Sequence, residues 1–326
     1  MRRIRVKTRA WRRAVRDQFA EWEGVFDPMG EDAYFAGHEA MPEFRFDVDS
    51  FEPAQAWWLA ELSRLAYTPD QKEEPRDRGG RFPRRGPILA ERTPFEEILS
   101  IHKTGNHASI YRFSDGREGT ILCFRGTSKL RQWIMNTVIR PHGWRRFRLA
   151  DDPEGARVHS GFYVFFKRAW PLLREVLHVQ PKPWVFTGHS LGGALATIAS
   201  VVSPPDLLCT FGAPKVGNAE FYELSGPSRV WRIVNDRDLV PRLPLPDPKL
   251  GEKVLVHGTA ARVLRAGALE QFEEGEEDLL PFSPERFLEE FSSPPPWLCD
   301  HRIGEYCRII GDLAGEEGTK VERKSR

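Results

Sequence analysis

Gly188-His189-Ser190-Leu191-Gly192-Gly193 sets a serine between glycines two residues before and two residues after it. An apolar run, Trp184 to Thr187, precedes it, and a run with small residues (Ala194, Ala196) follows. A sharp strand-to-helix turn at the serine would crowd the residues at those two positions, where only minimal side chains fit. Such a turn presents the hydroxyl at the carboxyl edge of a sheet. It also aims the first amides of the next helix at any anion formed beside it. The chemistry that uses this arrangement is nucleophilic attack by serine on an acyl carbon. The alternative, a glycine-rich connection with no catalytic use, does not need the strand and helix context found here.

A serine hydroxyl is a poor nucleophile until a base takes its proton, and the base needs an acid to hold its tautomer. After Ser190 the chain offers two histidines, His257 and His301. In the order Ser, acid, His, the late His301 fits the base, and it heads a stretch with helical apolar spacing (Ile303, Cys307, Ile310). Asp236 and Asp238 both follow the apolar run Val230 to Val234, and either could be the acid on this pattern. A tetrahedral intermediate carries a negative oxygen that needs preorganised donors. The Leu191 amide is expected to be one. The other is expected from a loop after an earlier strand, where Phe124-Arg-Gly-Thr127 lies. There is no H-E-x-x-H, C-x-x-C, dinucleotide fingerprint or P-loop, so neither a metal nor a cofactor is expected.

The elements that must position these groups follow from periodicity. Ala54 to Tyr67 reads as a helix, and the Arg-, Gly- and Pro-rich residues 70–92 read as a loop. Ala108 to Phe113 and Thr120 to Phe124 flank a turn at Ser114-Asp-Gly and predict a hairpin. Trp184 to Thr187, Leu207 to Phe211 and Val230 to Val234 predict further strands, with helical stretches at Gly161 to Val176 and Gly192 to Val202. Strands separated by helices predict an α/β class with a mostly parallel central sheet and helices on both faces. Residues 265–297, acidic and proline-rich, predict a surface excursion, and residues 313–326 a charged, frayed tail.

The 326 residues are 40% hydrophobic and 29% charged with net charge +1, which gives no electrostatic reason to expect a nucleic-acid partner. Residues 1–50 read as a separate basic, aromatic extension to a domain spanning 51–312. Trp11, Val15, Phe19, Trp22 and Phe26 share one helical face, with Arg12, Arg13 and Arg16 off it. That stripe either packs on the domain or lies on an anionic membrane surface through residues 1–26. The basic start lacks a following apolar run, so it does not read as a secretory signal, and no run is long enough to span a membrane. Cys123 and Cys209 sit in apolar runs and read as core thiols, so a cytoplasmic setting is expected.

Phe124-Arg-Gly-Thr127, Trp133, Val158-His-Ser-Gly-Phe162, Thr187 to Gly193, Phe211-Gly-Ala-Pro-Lys-Val-Gly217, Val234 to Pro241, His257-Gly258 and Asp300-His301 with Tyr306 occur in the order of the class 3, fungal-type lipases. The chain resembles that family from Leu65-Ala-Tyr67 to about residue 312. The resemblance implies an α/β-hydrolase fold and a triad of Ser190, Asp238 and His301. It implies an oxyanion hole from Thr127 and Leu191, an elbow at Gly188 and Gly192, and a lid carrying Leu130, Trp133 and Ile134. The implied activity is hydrolysis of lipid esters through an acyl-enzyme, by a triacylglycerol lipase or carboxylesterase. A phospholipase A-type or galactolipid acyl hydrolase is the neighbouring alternative. A catalytically silent interaction scaffold is the alternative of another class. The extension before residue 50 and the acidic segment 265–297 depart from the family pattern.

Overall fold

The computed structural model describes residues 34–68, 85–103, 106–127, 144–146, 156–224, 226–235, 237–243, 261–265, 268–272 and 299–324. Its centre is an eight-stranded sheet. The strands are β1 (Phe95–Lys103), β2 (Asn106–Phe113), β3 (Thr120–Phe124), β6 (Trp184–His189), β7 (Leu207–Phe211), β8 (Arg229–Asn235), β9 (Ala261–Arg265) and β10 (Ala268–Phe272), in that spatial order. Strands β3, β6, β7, β8 and β9 run parallel, while β1–β2–β3 and β9–β10 are antiparallel. β4 (Trp144–Arg146) and β5 (Arg157–His159) form a separate ribbon.

Strands β3, β6 and β7, and β8 from Trp231 onward, are buried on both sides, so their sequences read as largely continuous apolar runs and not as alternations. Side chains nevertheless divide by parity. Ile121, Cys123, Val185, Cys209, Trp231 and Ile233 join one core, and Leu122, Phe124, Phe186 and Leu208 join the other. The first core is covered by α1 (Pro53–Leu65) and α6 (Ile303–Lys324); the second by α3 (Ser160–Leu177) and α4 (Leu191–Val202), and the short α5 (Ala219–Tyr222) follows β7. The expected mostly parallel sheet with helices on both faces is the architecture observed. The hairpin, the three later strands and the two helical stretches fall where the sequence places them.

Four segments differ from the sequence expectation, and the contacts they make give the reasons. First, residues 34–48 do not sit apart from the domain. Tyr34, Phe35, Phe44, Phe46 and Val48 are core residues, and this strand of chain is stitched to α1. Phe35 N–H donates to Glu61 at 3.1 Å, Arg45 N–H to Gln55 at 2.7 Å, and Trp58 Nε1–H to the Pro42 carbonyl at 2.9 Å. Every residue of α1 is buried, so it is a core helix and not an amphipathic one.

Second, part of the 70–92 loop is the helix α2 (Arg85–Arg92), anchored by the buried Arg85. That guanidinium donates to the Thr68 carbonyl at 2.9 Å, Glu97 at 2.7 Å and Ser109 at 3.1 Å. Third, β10 extends the sheet within the acidic segment, paired with β9 so that Arg265 lies opposite Ala268. Fourth, α6 continues through the expected tail to Lys324, with Arg308 bonded to Glu305 and Asp312 at 3.1 Å each on its outer face. Cys299 and Cys307 are free thiols, as are the buried Cys123 and Cys209. Among the described residues no helix is long and apolar enough to cross a membrane.

Candidate active site

Ser190 stands between the last residue of β6 and the first of α4, with φ 57° and ψ −126°. That left-handed conformation is costly for a residue with a side chain, by roughly 1–3 kcal/mol, and survives only where the surroundings impose it. The surroundings here are backbone. A Cβ on Gly188 would lie 2.5 Å from the Gly192 carbonyl carbon, and one on Gly192 would collide with the Phe124 carbonyl oxygen. The two glycines of the sequence pattern are thus the contact points between β6, α4 and the end of β3. Ser190 N–H donates to the Phe211 carbonyl at 2.9 Å, which pins the turn to the end of β7.

The residue after Phe211 leads to the other half of the site. Gly212 (φ +56°) has no room for a side chain: a Cβ there would lie 2.7 Å from Asp238 Oδ2, 2.9 Å from the Tyr306 hydroxyl and 3.2 Å from His301 Nδ1. Asp238, in the loop after β8, and His301, just before α6, are both completely buried and meet at 2.7 Å. Because a carboxylate only accepts, His301 Nδ1 carries the hydrogen, and Nε2 is left as the lone-pair nitrogen of the neutral ring.

Asp238 Oδ2 also accepts from the Tyr306 hydroxyl at 2.7 Å, and Oδ1 accepts from Val240 N–H at 2.9 Å. Burial first, and then the neighbouring Asp238 charge, push the Tyr306 hydroxyl well above its ordinary pKa, so it remains a donor. Asn235 N–H donates to that hydroxyl at 2.9 Å, and its side chain donates to the Asp300 carbonyl at 3.0 Å, binding the end of β8 to the residue before His301. Ser190 Oγ and His301 Nε2 are both buried and make no hydrogen bond among the described residues.

Leu191 opens α4, so its amide is among the first N–H groups that have no partner inside a helix. The loop after β3 approaches from the other side. A Cβ on Gly126 would lie 2.8 Å from the His189 carbonyl oxygen, and Thr127 follows it directly. Arg125 N–H fixes this loop to the His107 carbonyl at 2.9 Å.

The structure therefore brings together Asp238 and His301, and brings the Thr127 loop and Leu191 to the Ser190 turn. Asp236, His257 and the lid residues Leu130, Trp133 and Ile134 lie outside the described residues. Local motifs give no role to Gly212, Asn235, Tyr67 or Tyr306, which enter only within segments of the family pattern. Their contributions depend on partners more than twenty residues away, and local spacing carries no trace of them.

Residues 121–247 match the family described as lipase (class 3). The chain is 34% identical over 147 residues to a lipase of Rhizopus niveus, covering 40% of this chain and 36% of that lipase. It is 30% identical over 153 residues to the chloroplastic phospholipase A(1) DAD1 of Arabidopsis thaliana, covering 40% of this chain and 34% of that protein. The matched stretch thus spans little more than a third of these curated relatives. Among solved structures, the Lip2 lipase of Yarrowia lipolytica is similar over 72% of this chain and 87% of that one, with a TM-score of 0.53 at 20% identity, a likeness of fold. Residues 121–247 are thus similar to the class 3 lipases, and the chain has the α/β-hydrolase fold of its solved neighbour.

Proposed function

We propose that this protein hydrolyses carboxylic esters of lipids, with Ser190 as nucleophile, His301 as base and Asp238 as the acid that orients it. The observation carrying this reading is the buried 2.7 Å pair of Asp238 and His301, set across Gly212 from a serine whose backbone is held in a strained turn. In the proposed cycle His301 Nε2 takes the Ser190 proton as Oγ attacks the ester carbonyl. The oxyanion is met by the Leu191 amide and by Thr127. His301 then returns the proton to the leaving alcohol, and an acyl group remains on Ser190. Water, deprotonated by the same nitrogen, attacks that acyl group; the acyl–Oγ bond breaks, His301 returns the proton to Ser190 Oγ, and the carboxylic acid leaves.

Lipases from fungi and a plant phospholipase A(1) are similar to the chain at nearly equal identity, so two head-group classes are supported. Triacylglycerol is the first reading and a phospholipase A-type activity the second. The basic residues Arg2, Arg3, Arg5, Lys7, Arg9, Arg12, Arg13 and Arg16 support contact with an anionic surface and favour the second. The test is a hydrolysis panel of p-nitrophenyl esters of graded chain length, triacylglycerol, phospholipid and galactolipid, run on wild type and Ser190→Ala. The substitution is expected to lower turnover by roughly five orders of magnitude with the fold intact. Appreciable ester turnover by the folded variant would sink the serine reading. Deleting residues 1–26 is expected to weaken binding to anionic vesicles at low salt while sparing short soluble esters.

A further inference from the structure

His189, at the position the G-x-S-x-G pattern leaves unspecified just before Ser190, is 4% exposed, yet it is a titratable side chain in a position that packing alone could fill with a hydrocarbon. Both of its ring nitrogens are bonded, to partners far apart in the chain. Nε2 lies 2.7 Å from the backbone carbonyl oxygen of His301, and Nδ1 lies 2.8 Å from the Tyr67 hydroxyl. A carbonyl oxygen can only accept, so Nε2 bears the hydrogen. Nδ1 is then the acceptor of a neutral ring, and the Tyr67 hydroxyl donates to it. The same hydroxyl packs directly against Gly126, next to Thr127, where a Cβ would lie 1.9 Å from it. One chain of contacts therefore runs from the loop after β3, packed on Tyr67 just past α1, and by hydrogen bonds from Tyr67 to the nucleophile turn and on to the backbone that carries His301.

We infer that His189 is a positioning residue for hydrolysis: its ring, with the tautomer set by Tyr67, fixes the height of the His301 backbone against the Ser190 turn and couples both to the Gly126–Thr127 loop. The inference rests on the reading of Ser190 as nucleophile and His301 as base. The physical requirement is simple. Three loops from distant parts of the sequence must hold a nucleophile, a base and an oxyanion donor in mutual register. Misplacement by about 1 Å costs on the order of 100-fold in rate. The bond from His189 to the His301 carbonyl joins the residue beside the nucleophile to the residue of the base itself, with no intermediate element to flex.

The rings of His189 and His301 also lie 4.6 Å apart at 36°, which matters when His301 becomes an imidazolium. A second cation there would oppose that charge. His189 instead stays neutral, because burial and the proximity of His301 hold its pKa well below the ordinary 6.5.

The experiment separates the two ring nitrogens. In His189→Gln the carboxamide nitrogen takes the place of Nε2 and can still donate to the His301 carbonyl. In His189→Asn the shorter side chain reaches only the Nδ1 position and loses that bond. Turnover of a soluble p-nitrophenyl butyrate, thermal midpoint and Ser190 labelling by a fluorophosphonate are measured for both variants, for Tyr67→Phe and for Tyr67→Phe in the Gln background. The expected result is a kcat loss of roughly 10- to 100-fold for Asn with KM unchanged, largely restored in Gln. Tyr67→Phe should lower kcat in the parent but cost less in the Gln background, where no tautomer needs fixing. Equal kcat for Asn and Gln, or losses that follow the thermal midpoint alone, overturn the inference. If Asn does not fold, additive effects of Tyr67→Phe and His189→Gln overturn it instead. Indifferent His189 variants with a labelled Ser190 defeat only this inference, whereas turnover surviving Ser190→Ala defeats the serine reading beneath it.

Discussion

The nucleophile turn and the acid–base pair sit on either side of the Phe211–Gly212 step, and they are built by opposite means. The turn is local: Gly188, Ser190 and Gly192 lie within five residues, and its strained backbone is held by contacts of Gly188 with Gly192 and of Gly192 with Phe124. The pair is assembled across the fold. Asp238 and His301 are 63 residues apart and are held by Tyr306 and by Asn235, through backbone and side-chain bonds to two different segments. Damage to the turn should therefore disturb folding and activity together, because the same atoms shape both. Damage to the pair should reach activity while sparing most of the fold.

Asp238→Asn gives the sharpest test of the second half of that contrast. The amide keeps the volume but cannot accept from His301 Nδ1–H as a carboxylate does, so the neutral ring is no longer held in the productive tautomer. A loss of kcat of about 10⁴-fold is expected, with a thermal midpoint shifted far less than loss of a core residue would shift it. A variant that unfolds instead would show that the pair is as structural as the turn. Gly192→Ala tests the first half. Its methyl group meets the Phe124 carbonyl oxygen and cannot be relieved by rotating a side chain. About 3 kcal/mol of stability should be lost in denaturant unfolding, along with activity. Retained stability with lost activity would break the comparison.

Tyr306→Phe lies between these extremes. It removes one of three hydrogen bonds to Asp238 and leaves the Asn235 amide without its acceptor. A hydrogen bond to a charged group contributes about 1.5–3 kcal/mol, so a kcat reduction of roughly 10- to 100-fold is expected at unchanged KM. The smallest effect is a pH dependence of stability. His189 has its folded pKa depressed below 6.5, first by burial and then by His301. As pH falls through 6.5 the unfolded chain takes up a proton that the native state refuses, so stability is lost on the acid side and is fully present above it. The slope approaches about 1.4 kcal/mol per pH unit. Chemical denaturation of wild type and His189→Gln from pH 5 to 8 should give curves that run parallel above 6.5 and diverge below it, with wild type falling faster. Curves parallel throughout would mean that the imidazole is not refusing its proton.

The sequence by itself determined whatever depends on near neighbours. The glycines flanking Ser190, the apolar runs of β3, β6, β7 and β8 and the helical spacing of α3 and α4 express constraints between residues a few positions apart. Their types therefore announce the strand–turn–helix, the mostly parallel sheet and the candidate nucleophile. Two aspartates remained equivalent on pattern alone, and only the family likeness chose between them; the meeting of Asp238 with His301 at 2.7 Å is a product of the folded sheet. Tertiary structure alone decided that residues 34–48 join the core, that Arg85 holds a helix inside a loop-like stretch, and that a tyrosine at 67 reaches a histidine at 189. The reason is one of range. A glycine at a crowded turn is selected by atoms carried on its own segment. A buried donor is selected by an acceptor that arrives from elsewhere, and until the chain has folded nothing beside it records which acceptor that will be.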